Sequence, residues 1–410
     1  TALGERKFTE DIYLEGMLFG ALKFSDYPKA IVKKINKSKA EALPGVHRVF
    51  TAADIPGEEL IGLIFKDQSV IVGEGKTANF IGDVIAGVVA ETEAIARKAV
   101  DLIEVEYEVL KPVTDVFEAI DGDRVHPEKP NNFSTTKFAV GNASEAFAKA
   151  KFVTKGRFET QRIEHGFLEK ESAGAHPDGD GGIIVYSQGQ GVYVDRKQIA
   201  SILNLPESKV RVILVPNGGG FGGKEDLTVQ GHASLFAFLM NKPVKVSLSR
   251  GESIRHHPKR HPVTMDMELA ADENGKLVGL RLQAVGDTGA YASVGAKVVE
   301  RVAGHATAGY FVPNVDIEAK TVYTNNLPCG AMRGFGANQV AFALESCIDD
   351  ICYQAGFDRW KFRYDNALVD GLATSTGQKV YGVGICACLD AVKEDFYSAK
   401  HSGLACAIKN

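Results

Sequence analysis

The sequence predicts an α+β protein in which a small N-terminal α/β domain is followed by a larger domain of mixed strands and helices. Three observations lead there. Apolar residues alternate with strand period in some stretches and recur with helical period in others. Apolar residues make up 45% and charged residues 24% of the chain, the balance of an ordinary globular protein. One segment at residues 121–137, DGDRVHPEKPNNFSTTK, breaks the pattern and divides the 410 residues unequally.

The expected first domain spans residues 1–120. Tyr13 to Lys23 is mixed apolar. Ser38 to Gly45 reads as a single helical turn stopped by Pro44-Gly45, and Val46 to Phe50 as a short strand. Asp83 to Ala90 is a strand. Thr92 then caps a helix from Glu93 to Leu102 whose apolar face is Ile95, Ala99 and Leu102. Ile103, Val105, Tyr107 and Val109 alternate with Glu104, Glu106 and Glu108, a strand with one solvated face. Residues 121–137, with Pro127, Pro130, Asn131 and Asn132, are expected to be a linker.

The second domain is expected over residues 138–395. Phe152 to Glu159 and Gly182 to Ser187 read as strands, and Asp195 to Leu203 as a helix. Val244 to Ser249 is a further strand. Met265 to Ala271 and Leu277 to Val285 form a hairpin across Asn274-Gly275. Gln339 to Ala355 is a helix with Gly356 as its stop. Residues 396–410 stand apart: Leu404 to Ile408 has the look of an opening strand, two residues before the last residue given.

The centre of the sequence is KVRVILVPNGGGFGGKEDLTVQGHASLFAFLMN, residues 209–241. Val210, Val212 and Leu214 alternate as in a strand, five glycines follow within Gly218–Gly223, and the chain becomes apolar and helical towards Met240. Such glycines mark either a tight turn or a loop whose N–H groups lie against a polar ligand at a helix start. Gly218, Gly220 and Gly223 match the dinucleotide fingerprint G-x-G-x-x-G, but no acidic residue follows about 20 positions on, in MNKPVKVSLS. Gly218 to Lys224 match the start of a phosphate loop, but Glu225 stands where Ser or Thr should hold Mg²⁺.

Composition excludes several partners. Lys plus Arg is 47 and Asp plus Glu 52, a formal charge of −5, so no basic surface for nucleic acid is expected. No uncharged apolar stretch approaches the roughly 18 residues of a membrane span. The six cysteines, Cys329, Cys347, Cys352, Cys386, Cys388 and Cys406, have no metal-ligand spacing and read as reduced thiols of a cytoplasmic protein.

Other polar residues stand out. RGESIRHHPKRHP, Arg250 to Pro262, is either a solvated basic loop or an anion clamp. Glu300 and Arg301 lie in an apolar stretch, as an ion pair or as a guanidinium kept ready for a ligand. A second glycine-rich loop, NNLPCGAMRGFGANQ from Asn325 to Gln339, sets Arg333 and Phe335 between glycines, for a flat ligand or for the core. Gln188 presents an amide at a strand end, to a site or to the loop alone. Glu164, His165 and Glu169 become acid–base candidates if they converge with these loops.

Taken together, these loops resemble the molybdenum hydroxylases, the xanthine dehydrogenase and aldehyde oxidase family. GGGFGGKE at Gly218–Glu225 is similar to that family's molybdenum-site loop, KRHP at Lys259–Pro262 to its G-R-H-P segment, and AMRGFGANQ at Ala331–Gln339 to its A-F-R-G-F-G-x-x-Q loop. ALPGVHRVFTAADIPG and GDVIAGVVAETEAIARKA resemble its first α/β domain, the hammerhead. The family's usual Gln-Glu-His is here Ile163-Glu164-His165.

The resemblance implies a hammerhead domain, then a first molybdopterin-binding domain, with LACAIKN starting an incomplete second half. It implies a molybdopterin-type molybdenum cofactor, the cytosine dinucleotide form among the candidates. Gln188, Gly220, Phe221, Ala331, Met332 and Arg333 would border that cofactor. Glu225 and Arg301 would act on an N-heterocyclic substrate, and Phe335 would stack on its ring. No residue matches the family's catalytic base, which belongs to the second half. The implied partners are that half, in the same or a separate chain, together with iron–sulfur and FAD domains or subunits. Nicotinate is the first choice of substrate, with xanthine, hypoxanthine or an aldehyde as alternatives. Two readings of other classes stay open: an NAD-binding dehydrogenase, and an isolated fragment without cofactor or activity.

Overall fold

A computed structural model describes residues 3–408. Its larger sheet has seven strands, in the order Val210–Leu214, Ile183–Ser187, Ser172–Pro177, Val244–Ser247, Leu18–Phe24, Val84–Ala90, Val46–Phe50. Val84–Ala90, VIAGVVA, is apolar throughout because it is buried on both faces. Leu18–Phe24 pairs antiparallel with Val84–Ala90 on one side and parallel with Val244–Ser247 on the other. The sheet is therefore continuous across the linker expected from the sequence, with strands of residues 1–120 hydrogen-bonded to the larger region.

The helix Val229–Met240 covers this sheet. Phe236 stacks on Phe50 with ring centroids 4.7 Å apart. Gly87 makes that possible, since a Cβ there would lie 2.1 Å from the Phe236 ring.

A second sheet has five strands, in the order Phe152–Glu159, Val263–Ala271, Leu277–Gly289, Val315–Tyr323, Asn132–Val140. Its hairpin turns at Gly275, where φ is +77°. Met265, Leu269, Leu282 and Ile317 of the sheet pack with Val302, Leu344 and Ile348 of the helices Gly295–Gly304 and Ala337–Ala355. Gly356 ends the longer helix at a left-handed φ of 69°. A three-stranded sheet of Thr77–Ala78, Ala30–Asn36 and Glu104–Val109 lies within the first 120 residues.

Three expectations are corrected. Residues 132–137 of the expected linker belong to the edge strand Asn132–Val140, which pairs with Val315–Tyr323. Its Asn, Ser and Thr read as loop, but polar residues suit an exposed sheet edge. Arg250–His256 is a helix rather than a solvated loop: Ser249 Oγ accepts from Glu252 N, and Glu252 Oε2 accepts from Ser249 N. Leu404 to Ile408 forms no strand among the described residues. Instead Cys406 N donates to Glu345 Oε1 (3.0 Å) on the helix Ala337–Ala355. Lys409 and Asn410 lie outside the described residues. All six cysteines are free thiols, Cys388 exposed and Cys386 half-buried. Among the described residues, no helix is long and apolar enough to cross a membrane.

Candidate functional site

The glycine loop leaves the strand Val210–Leu214 and enters the helix Val229–Met240. Gly219 and Gly222 both have φ of +101°, and Phe221 has φ of +54°. Close neighbours add to the demand for glycine: a Cβ at Gly222 would meet Ala331 O at 2.6 Å and one at Gly223 the His165 ring at 2.8 Å, whereas at Gly220 the flexible Gln190 side chain, 2.5 Å away, would have to yield. The loop is thus a turn and also the surface on which three other segments rest.

One of those segments is the second glycine-rich loop. Arg333 N donates to Phe221 O (2.9 Å), and the Arg333 guanidinium lies 5.8 Å from the Phe221 ring centroid. Gly334, Phe335 and Gly336 are all left-handed, with φ of +100°, +47° and +97°. A Cβ at Gly336 would sit 2.3 Å from Val298 O, so this loop packs directly on the helix Gly295–Gly304. Ala331 is buried and Met332 half-buried.

Arg301 comes from that helix. Its guanidinium lies 5.0 Å from the centroid of the Phe335 ring. Glu300 pairs with Lys297 instead (2.7 Å), because successive residues on a helix point in different directions. Arg301 forms no ion pair among the described residues.

Glu225 is half-buried, and its N–H donates to Gly222 O (3.3 Å). The next residue, Asp226, is buried and accepts from Ser293 Oγ (3.0 Å), two residues before the helix that carries Arg301. Burial pushes the Asp226 carboxyl up to about 7 against the Ser293 hydrogen bond, and the nearby Glu225 charge adds to the rise. A Cβ at Gly330 would lie 2.8 Å from Asp226 Oδ2. Glu225 therefore sits where the glycine loop meets both the second loop and the approach to the Arg301 helix.

The two glutamines of Ser187-Gln188-Gly189-Gln190 are used differently. Gln188 is 1% exposed. Its Nε2 donates to Lys170 O (2.7 Å) and Ser172 O (3.2 Å), and its Oε1 accepts from Lys224 Nζ. Gln190 is exposed and lies against Gly220, and its Oε1 accepts from Gly222 N (3.0 Å) and Lys224 N (3.2 Å). Gln188 is the glutamine that the sequence singles out, and Gln190, which it does not, braces the glycine loop. Residue type does not separate two glutamines two positions apart; only the loop they support does.

Glu164, His165 and Glu169 do converge with the loops. His165 Nε2, as the donor, bonds Ala331 O (2.8 Å), and burial lowers its pKa to about 4, so the ring is neutral near pH 7. His257 lies between Glu164 (2.8 Å) and Glu171 (3.0 Å), and Lys259 Nζ is 2.8 Å from Glu164. Burial alone would lower the His257 pKa, but the two carboxylates outweigh it and raise it. Glu164, opposed by its own burial, is held well below the usual range by His257 and Lys259. Ligand atoms of Glu164, His165 and His257 lie within 4.8 Å of one another, the spacing of a metal site. Both nitrogens of His257 already face carboxylates, however, and Lys259 faces Glu164, so the charges balance without a metal.

The combined surface fits a flat, polar cofactor. The N–H groups of Gly219, Gly220 and Phe221 make no hydrogen bond among the described residues, and a side chain at Gly222 would push the second loop away. Phe221 is 46% exposed and Leu168, beside Phe167 under the loop, 89% exposed.

Residues 125–367 match the family described as "Molybdopterin cofactor-binding domain", and residues 3–111 the "Aldehyde oxidase and xanthine dehydrogenase, a/b hammerhead domain". The nicotinate dehydrogenase large molybdopterin subunit of Eubacterium barkeri is 36% identical over 394 residues, 96% of this chain and 92% of that protein. A probable xanthine dehydrogenase subunit from Bacillus subtilis (strain 168) is 38% identical over 365 residues, 88% of this chain and 49% of that protein. Among solved structures, the aldehyde oxidoreductase from Desulfovibrio gigas superposes with a TM-score of 0.93 at 28% identity, over 96% of this chain and 45% of that one. The chain thus spans about half the length of several relatives and nearly all of one. It belongs to the xanthine dehydrogenase and aldehyde oxidase family of molybdenum hydroxylases, as a hammerhead domain followed by a molybdopterin cofactor-binding domain.

Proposed function

We propose that this chain forms one wall of the active site of a hydroxylase acting on an electron-poor N-heterocycle, with nicotinate as first choice. The observation that carries the reading is Arg301, held over the face of Phe335 without an ion pair and beside the loop that bears Glu225. An arginine kept in that state offers a planar fork to an anionic or electron-rich ring edge.

Gln188, Gly220, Phe221, Ala331, Met332 and Arg333 would border the cofactor, and Gln190 braces the glycine loop through its Oε1. When bound, a molybdopterin-type cofactor supplies the oxygen transfer from water and takes up the electron pair. Phe335 stacks on the substrate ring and excludes water from one face. Glu225 holds the ring in place and fixes its orientation. Arg301 neutralises the charge that builds on the heterocycle as it is attacked. The proton-accepting carboxylate is assigned to a second molybdopterin-binding half, and iron–sulfur and flavin groups on other domains or subunits carry the electrons away. A cytoplasmic location accords with the free thiols.

The name of the Eubacterium barkeri relative, matched over 92% of its length, supports nicotinate. The likeness to aldehyde oxidoreductase supports an aldehyde as second reading. Arg301→Ala in the assembled enzyme separates the two. For a heterocycle, kcat should fall by about 10²–10³ with molybdenum content unchanged. An unaltered kcat and KM with the best heterocycle would reject the assignment, and activity confined to aldehydes would favour the second reading.

A further inference from the structure

The geometry points to Glu169 and Lys224 as a buried staple that closes the glycine loop and holds Phe221 in place, two positioning residues for the site proposed above, on which this inference rests. At the loop's entrance, Gly218 N donates to Glu169 Oε2 (2.6 Å), while Glu169 N donates to Gly218 O (3.2 Å). At its exit, Lys224 Nζ reaches the same carboxylate oxygen at 3.3 Å. One oxygen thus fastens both ends of a segment with five glycines, which is costly to order because glycine loses the most chain entropy on folding.

The rest of Lys224 is equally committed. It is 3% exposed, its Nζ donates to Gln188 Oε1, and it lies 4.7 Å from the Phe167 ring centroid. Both groups are largely buried, with the Lys224 and Glu169 side chains 2% and 11% exposed. Their influence passes through the backbone they tie, in which Phe221 keeps a left-handed φ that side-chain-bearing residues generally avoid. A buried carboxylate and ammonium also depend on each other, since removing one leaves the other uncompensated.

The test is amide hydrogen exchange on the full chain, with Glu169→Gln, Lys224→Gln, the double variant, and Lys224→Arg as the charge-conserving control. Glu169→Gln keeps an acceptor for Gly218 N and loses only the charge. Peptides covering residues 218–225 should exchange at least about tenfold faster in either Gln variant. The helix Val229–Met240 should be unchanged, the double variant no worse than a single one, and Lys224→Arg close to wild type. Protection unchanged in both single variants, loss spread equally into that helix, or a double effect equal to the product of the singles would overturn the staple. This readout needs neither cofactor nor substrate, so it stands or falls apart from the proposed function. In the assembled enzyme the same variants should lower kcat while leaving the substrate KM within about twofold, the pattern of a displaced wall rather than a lost substrate contact.

Discussion

Gly222 and Gly251 are both glycines near the site, and they ask for opposite things. At Gly222 a side chain would need a left-handed φ and would strike Ala331 O. At Gly251, exposed in the helix Arg250–His256, a Cβ meets nothing within 4 Å. Gly222→Ala should therefore destabilise the chain by about 2 kcal/mol or more, and Gly251→Ala should stabilise it by roughly 0.5–1 kcal/mol, both read by urea unfolding. The reverse order would mean that the two loops are not in contact. Asp195 offers a second test. Its Oδ2 accepts from Ser187 Oγ (2.9 Å), its Oδ1 is buried without a hydrogen bond, and burial pushes its pKa up to about 7. An acid with a raised folded pKa costs stability as pH climbs from the unfolded value towards 7, at roughly 1.4 kcal/mol per unit. Asp195→Asn should flatten the fall in stability between pH 5 and 7; an unaltered slope would contradict the buried neutral acid. At this scale the sequence reveals which residues are expensive but not what faces them. Glu300 and Arg301 are adjacent and opposite in charge, yet the helix turns them apart.

The elements show why some of the site was legible. Strand Val210–Leu214, the glycine cluster and helix Val229–Met240 carry their periods openly, and the stops Asn241 and Gly356 are both left-handed as such residues allow. The segment Arg250 to Pro262 was less legible, because its density of Arg, Lys and His imitates a solvated surface. His257 is instead fully buried, and its charge is matched by Glu164 and Glu171 from an earlier part of the chain, a pairing that no local pattern announces. A histidine whose folded pKa is raised contributes stability that is complete below the unfolded value and is lost as pH rises through the folded one. The chain should lose stability as pH rises from the unfolded histidine value through the raised folded one, and His257→Gln, though weaker overall, should lose less across that interval. An equally steep loss in His257→Gln would show that another group titrates there.

The whole molecule departs furthest from a sequence reading. A composition break at residues 121–137 suggests two separable domains, but the strand Leu18–Phe24 is bonded on both sides within one sheet. Further ties cross the same division: Tyr291 OH donates to Asp83 Oδ1 and Tyr323 OH to Asp67 Oδ2, each at 2.7 Å. Long-range strand pairing leaves no mark on local composition. Deleting residues 1–120 should leave a chain that fails to fold, because Val244–Ser247 would become a bare edge. A soluble, cooperatively unfolding remainder would show that the sheet is dispensable.

On the proposed function, the glycine loops at residues 218–226 and 328–337 and the Arg301 helix form a cofactor wall that a second half completes. The measurement that tests this most directly is molybdenum and pterin analysis of the chain purified in complex with its complementary half. Molybdenum stoichiometric with the chain, accompanied by a pterin, is the predicted result. A folded complex that carries neither, and binds NAD in their place, would contradict it.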